Sequence, residues 1–242
     1  MKLKFFGRGS GFTDNHTSAY FSTPDNNLVM IDCPSTTFQK LMTFDLKSYN
    51  NIYVFITHTH GDHVGGLGLF IQYIYFVQKN RVTVVAPSIA VLKDLRNLLS
   101  IEGNNPSWYN LVTPFDIIHK EWYRASILTT HSPQLEGKCF GYWLLVDNTN
   151  IVYTGDTATL EPFMACLYPG SELYVDVSVH YGQIHLKLED VLDSLIKLTK
   201  NGVKVYLMHL DDIPAAEKIV HNLPNIEIVT CIVDKSKIII QL

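Results

Sequence analysis

"ITHTHGDHVGG", residues 56–66, sets His58, His60, Asp62 and His63 within six positions. It closes a nearly continuous apolar run, "NIYVFIT" (51–57), of the kind expected for a strand covered on both faces. In extended chain, side chains at i and i+2 point the same way. His58 and His60 can therefore reach one point. Asp62 and His63 follow Gly61, which permits a tight turn, and can face a second point nearby. Imidazole and carboxylate together suit Zn, Mn or Fe better than Ca or Mg. A run of surface histidines would not need to end a buried strand, so the metal-site reading is preferred.

A closed site needs further ligands. Three lie downstream, each after a strand pattern: His131 ends "SILTTH", Asp156 ends "IVYTGD" and His209 ends "VYLMH". Strand ends hold ligands rigidly and converge at one sheet edge. Five histidines and two aspartates suffice for two metals sharing one bridging carboxylate.

The rest of the chain is consistent with a folded enzyme. Of 242 residues, 47% are apolar and 12% aromatic, enough for a sizeable core. The net charge of −4 comes with no basic run, which argues against a protein that grips nucleic acid through phosphates. The opening "MKLKFFGRGSG" lacks the apolar stretch of a secretory signal, and the most apolar segment, 64–77, is interrupted by glycines and Gln72. Cys33, Cys139, Cys166 and Cys231 are scattered and read as reduced, buried thiols. The cytoplasm is the expected compartment, and no membrane contact is expected.

No linker or low-complexity tract divides residues 1–242, so a single domain is expected. Strands are expected at "KLKFF", "TSAYFST", "NLVMID", "NIYVFIT", "RVTVVAP", "WYNLVTP", "WYRASILTTH", "KCFGYWLLVD" and "NIVYTGD", with a polar turn at 147–150. Later strands are "ELYVDVSV", "VKVYLMHL", "IEIVT" and "SKIIIQL". Helices are expected near 67–79, 88–100, 160–167, 188–198 and 214–221. Ser88 is the expected N-cap of the second, with Ile89, Leu92, Leu95, Leu98 and Leu99 on its buried face. Leu188, Val191, Leu192, Leu195 and Ile196 form another core stripe. Strands first, then strands mixed with helices, in a pattern that recurs in both halves, suggest an α/β four-layer αββα sandwich.

The motif His-x-His-x-Asp-His, followed in order by a lone histidine, a lone aspartate and a last histidine, resembles the metallo-β-lactamase-fold superfamily of metal-dependent hydrolases. The resemblance implies that αββα fold. It implies that His58, His60 and His131 hold one divalent ion, that Asp62, His63 and His209 hold another, and that Asp156 bridges them. Zn is the first expectation, with Mn or Fe as options. Asp32, in "LVMIDCP", matches a structural aspartate of that family, with a turn aspartate as the other reading; "DCP" stands where Asp-Cys-Gly is more usual.

Within the superfamily the chain most resembles the ribonuclease Z and phosphodiesterase branch. "FFGRGSG" with "HTSAYF", "THSPQLEGKCFGYWLL", "YTGDT" and "LYVDVSVHYGQIHLKLEDVLDSL" carry that likeness. It aligns Asp176 and His185 with an acid–histidine pair, His185 meeting the scissile phosphate or leaving oxygen and Asp176 orienting it. His180 is the alternative histidine. His16, His119 and His221 are assigned to surface or packing roles. Only about two dozen residues separate His131 from Asp156, filled by a hairpin. A tRNA-binding arm is therefore not expected, and neither is stable tRNA binding.

The implied activity is that of a binuclear phosphodiesterase using a metal-bridging hydroxide, with Asp62 orienting it, on a small, cyclic or nucleotide phosphodiester. A glyoxalase II-like thioesterase or lactonase and a ribonuclease Z-like RNA endonuclease are the alternatives. A flavodiiron-like redox protein would need a flavin domain or more carboxylates, and a non-catalytic binding protein would be expected to have lost ligands. Trp108 or Tyr109, in "NPSWYN", could stack on a ring or simply pack. Relatives in this branch are often dimers, which leaves a homodimer open.

Overall fold

A computed structural model describes residues 1–232. The expected strand at "SKIIIQL" lies outside the described residues. One six-stranded sheet holds β1 (Lys4–Gly7), β2 (Ser18–Ser22), β3 (Asn27–Ile31), β4 (Asn51–Phe55), β5 (Val82–Val85) and β6 (Tyr109–Val112), in chain order. The second holds β7 (Tyr123–Thr129), β8 (Cys139–Val146), β9 (Thr149–Tyr153), β10 (Glu172–Asp176), β11 (Lys204–Met208) and β12 (Ile226–Ile228), again in chain order. Each sheet opens with antiparallel pairs, β1–β2–β3 or β7–β8–β9, and continues in parallel. The recurrence expected between the two halves is present.

Three apolar cores define four layers. α1 (Ser35–Leu41), α2 (Gly61–Val64), α3 (Leu67–Phe76), α4 (Ile89–Ile101) and α5 (Pro114–Ile117) fall in the first half of the chain, α6 (Leu188–Lys200) and α7 (Ile213–Val220) in the second. Strand periodicity sorts side chains between the cores. In β4, Ile52 and Val54 pack with Phe70, Ile71 and Leu95 of the outer helices, while Tyr53 and Phe55 face the opposite sheet. In β10, Leu173 and Val175 meet Leu188 and Leu195 of α6, and Tyr174 turns inward. Bulky aromatics fill the space between sheets, which spans about 10 Å. Phe55, Tyr142, Tyr153 and Tyr174 are all buried there.

The structure corrects several sequence expectations. The buried face of α4 is Val91, Leu95 and Leu99, whereas Ile89 is exposed. Ile89 is the first residue of the helix, ahead of the turn that meets the sheet; Ser88 does cap it, accepting from the Val91 amide. The helix expected near 160–167 is present as a 3-10 helix, Glu161–Cys166, with a proline at its start. The polar turn is only Asp147 and Asn148, both left-handed, and Thr149 already pairs with Val146. Trp108 belongs to a short 3-10 helix, and the strand begins at Tyr109. Among the described residues no helix is long and apolar enough to cross a membrane.

The topology decides where the site lies. β3 runs parallel to β4, and β9, β10 and β11 run parallel to one another, so their carboxyl ends share an edge within each sheet. Open parallel sheets present ligand sites at that edge. Asp32 follows β3, the histidine motif follows β4, Asp156 follows β9, Asp176 ends β10 and His209 follows β11.

Candidate metal centre

The first donors come from one loop. After β4 the chain turns at His58–His60 and enters the single helical turn α2, whose first turn carries Asp62 and His63. His58 and His63 are buried; His60 and Asp62 are partly exposed. The remaining donors arrive singly, His131 two positions past β7, Asp156 three past β9 and His209 directly after β11. Gly155 (φ +60°) makes the turn that presents Asp156, where a side chain would collide with the Phe140 carbonyl. Asp32 and His209, neither a glycine, also adopt left-handed backbone, at φ 61° and 57°. Such conformations cost about 1–3 kcal/mol each and cluster at functional sites.

The seven expected donors meet in two groups. His58, His60 and His131 offer nitrogens that lie within 4.8 Å of one another, and so do the donor atoms of Asp62, His63, Asp156 and His209. Asp156 joins the groups. Its Oδ2 lies 3.8 Å from His58 Nε2, 3.6 Å from His131 Nε2 and 3.4 Å from His209 Nε2, and its Oδ1 lies 3.3 Å from His63 Nε2.

The donor chemistry fits a metal. His131 Nδ1 donates to the Ile184 carbonyl at 2.6 Å and His63 Nδ1 to Asp32 Oδ2 at 2.8 Å. Those acceptors hold the proton on the outer nitrogen and turn the inner lone pair toward the centre. His63 Nε2 is buried with no hydrogen-bond partner. His60 Nδ1 lies 2.9 Å from His58 Nε2 and 3.3 Å from His131 Nε2, so three imidazole nitrogens are gathered at one point. A cation there would take all three as ligands.

Charge divides the two groups. Burial and the neighbouring His63 push His58 well below the ordinary histidine range, and burial with His131 lowers His60. Burial also opposes charge on His63, but Asp156 and Asp32 hold it well above that range. His209, against the same penalty, is raised to about 10 by Asp156, Asp176 and Asp62. Asp62 is held well below the carboxylate range, burial being outweighed by hydrogen bonds from His209 and His63.

Partners outside the donors fix them in place. Asp32 is fully buried, accepting from the Thr57 amide and hydroxyl, both at 2.8 Å, besides His63. Asp176 accepts from His185 Nδ1 at 2.7 Å and from the Thr157 amide at 2.9 Å, while its Oδ1 faces His209 Nδ1 at 3.3 Å. His180 lies on the same side but pairs with Asp212 instead, its Nε2 3.2 Å from that carboxylate. His185 therefore sits on Asp176, its ring 4.8 Å from that of His131 and 5.0 Å from that of His209.

These groups floor a cleft of about 1130 Å³, walled by residues 10–13, His16, Ser178 and residues 180–185. Its lining contains no lysine or arginine among the described residues. His119 and His221 are exposed, as expected, but His16 lines the cleft. Thr57, Ser178 and Asp211 were also missed by sequence reasoning; Thr57 inside the histidine motif was the one with a local signal. Trp108 stacks on Tyr75 at 5.7 Å and meets Phe76 edge-on at 4.9 Å, and Tyr109 is buried. Both pack away from the cleft, so neither is its ring-stacking residue.

A family model described as "Anti-Pycsar protein Apyc1" matches residues 1–229. The chain is 24% identical over 237 residues to a protein of that description from Bacillus phage 010DV004, covering 88% of this chain and 90% of the phage protein. It is 25% identical over 138 residues to a ribonuclease Z of Haloarcula marismortui, covering 54% of this chain and 44% of that relative, less than half its length. Among solved structures, the metallo-β-lactamase fold protein YhfI from Bacillus subtilis superposes with a TM-score of 0.72 at 12% identity, covering 95% of each chain. That likeness shows the metallo-β-lactamase fold.

Proposed function

This chain belongs to the Anti-Pycsar protein Apyc1 family, and from that membership we propose that it is a binuclear metal-dependent phosphodiesterase acting on small or cyclic phosphodiesters. The observation that carries this reading is the convergence of two donor groups on Asp156, with His185 held beside them on Asp176. His58, His60 and His131 would hold one ion, and Asp62, His63 and His209 the other, with Asp156 between. Divalent ions bound there, Zn first and Mn or Fe next, would supply Lewis acidity and lower the pKa of water toward neutrality.

The chain's own residues supply the rest. Asp62 opens to the cleft, where its carboxylate can orient an attacking water and take its proton. Burial alone would lower His185, but Asp176 raises it above the ordinary histidine value, so a proton for the leaving oxygen is retained near neutral pH. Among the described residues the lining holds no lysine or arginine, which supports a compact monoanionic diester over a long RNA backbone that needs repeated cationic contacts.

The test is hydrolysis of bis(p-nitrophenyl) phosphate beside a p-nitrophenyl ester, with metal content measured on the same samples. Asp62→Ala should keep the fold and lose at least about 100-fold in diester turnover, the lower range for general-base loss. Turnover of the ester alone, or an unaffected Asp62→Ala, overturns the reading.

A further inference from the structure

Resting on the phosphodiester reading, we propose that Phe12 and Tyr181 determine specificity by binding a planar ring carried on the substrate. Phe12 is fully exposed and Tyr181 is 65% exposed, yet both line the cleft above the donor groups, with Ile184 beside them. Phe12 makes no ring contact among the described residues, and Tyr181 meets only His180, at 6.3 Å. Isolated exposed aromatics are ordinary. Two that converge on one cleft, each fastened from below, form a prepared surface.

The fastening is common to both. Phe12 sits in a turn closed by the Thr13 amide on the Ser10 carbonyl at 3.1 Å, and the Ser10 amide donates to the Leu210 carbonyl at 3.0 Å. Tyr181 sits in a turn whose amide donates to Ser178 Oγ at 2.7 Å, while the Val179 amide donates to Asp211 at 2.8 Å. Leu210 and Asp211 directly follow His209. Both rings are thus carried from the segment that carries a donor of the centre. Gly11 brings Phe12 closer still, since a Cβ there would lie 2.9 Å from Asp62 Oδ2. A ring on the diester would cover exposed aromatic surface at little ordering cost. Stacking tolerates ring identity because every base has a π-face.

The experiment compares a nucleoside 3′,5′-cyclic phosphate with the same cyclic phosphate on ribose lacking a base, using wild type, Phe12→Ala, Tyr181→Ala and Phe12→Leu. Each alanine variant should raise KM for the base-bearing substrate about 10-fold, the order seen for loss of one base-stacking partner, with kcat little changed. Phe12→Leu should behave as the alanine variant does, and KM for the base-free substrate should not move. Unchanged KM, or equal loss on both substrates, overturns the proposal. Saturation-transfer NMR with a hydrolysis-resistant cyclic phosphorothioate reads ring contact without turnover. Base signals present in wild type and lost in the double alanine variant support the proposal; no base signal in wild type overturns it. Base contact without turnover of any diester would overturn the phosphodiesterase reading instead.

Discussion

The two donor groups share residue types and an edge but hold their charge differently. His58 is buried and His60 half-buried among other histidines, which holds both below the ordinary histidine range. His63 and His209 face Asp62, Asp156, Asp32 and Asp176, which keep them protonated until a cation takes the proton's place. The first group presents lone pairs; the second presents ion pairs. The lesson is that ligand identity alone does not set a site's behaviour. The carboxylates around the donors decide what a metal must displace.

The most severe break in this contrast is removal of the carboxylate that belongs to both groups. Asp156→Ala should lower activity at least about 1,000-fold, matching loss of several kcal/mol of metal-borne charge stabilisation. Elemental analysis should find at most one ion retained. Two retained ions would show that the groups are independent of Asp156.

Acidity should separate the groups more gradually. Metal loading of the second group must release protons from His63 and His209, so its affinity falls as pH falls. The slope is about tenfold per pH unit for each proton displaced. The first group, in which His58 and His60 are held below the ordinary histidine range, should hold its ion over the same range. Dialysis at pH 8 and pH 6 followed by metal analysis should give two ions and then one. Simultaneous loss of both would erase the distinction.

The smallest expected effect lies behind the second group. Asp32→Asn puts an amide where Thr57 and His63 donate, leaving buried donors opposed, at a cost of about 2 kcal/mol. Thermal melting should fall by roughly 4–8 °C for a chain of this size. An unchanged melting temperature would mean that Asp32 holds His63 less firmly than its geometry indicates.

The first four donors were legible because they are local. An apolar strand, a glycine turn and the i, i+2 rule place His58, His60, Asp62 and His63 without knowledge of the rest of the chain. His131, Asp156 and His209 were legible only as strand ends, and their grouping came from a family resemblance. His185 lies 2.7 Å from Asp176, a contact between residues nine apart that no local periodicity announces. Trp108 could be read two ways because an aromatic in a loop carries no sign of which neighbour it meets.

By itself, the sequence determined the alternation of strands and helices, the strand-end position of each donor and the chemistry those donors favour. These depend on local periodicity and side-chain type. Only the tertiary structure decided that Asp156 touches four histidines, that carboxylates charge one group and not the other, and that Phe12 and Tyr181 share a cleft. Those facts depend on the register and facing of two sheets whose contacts span most of the chain, and electrostatic coupling follows distance in space rather than in sequence.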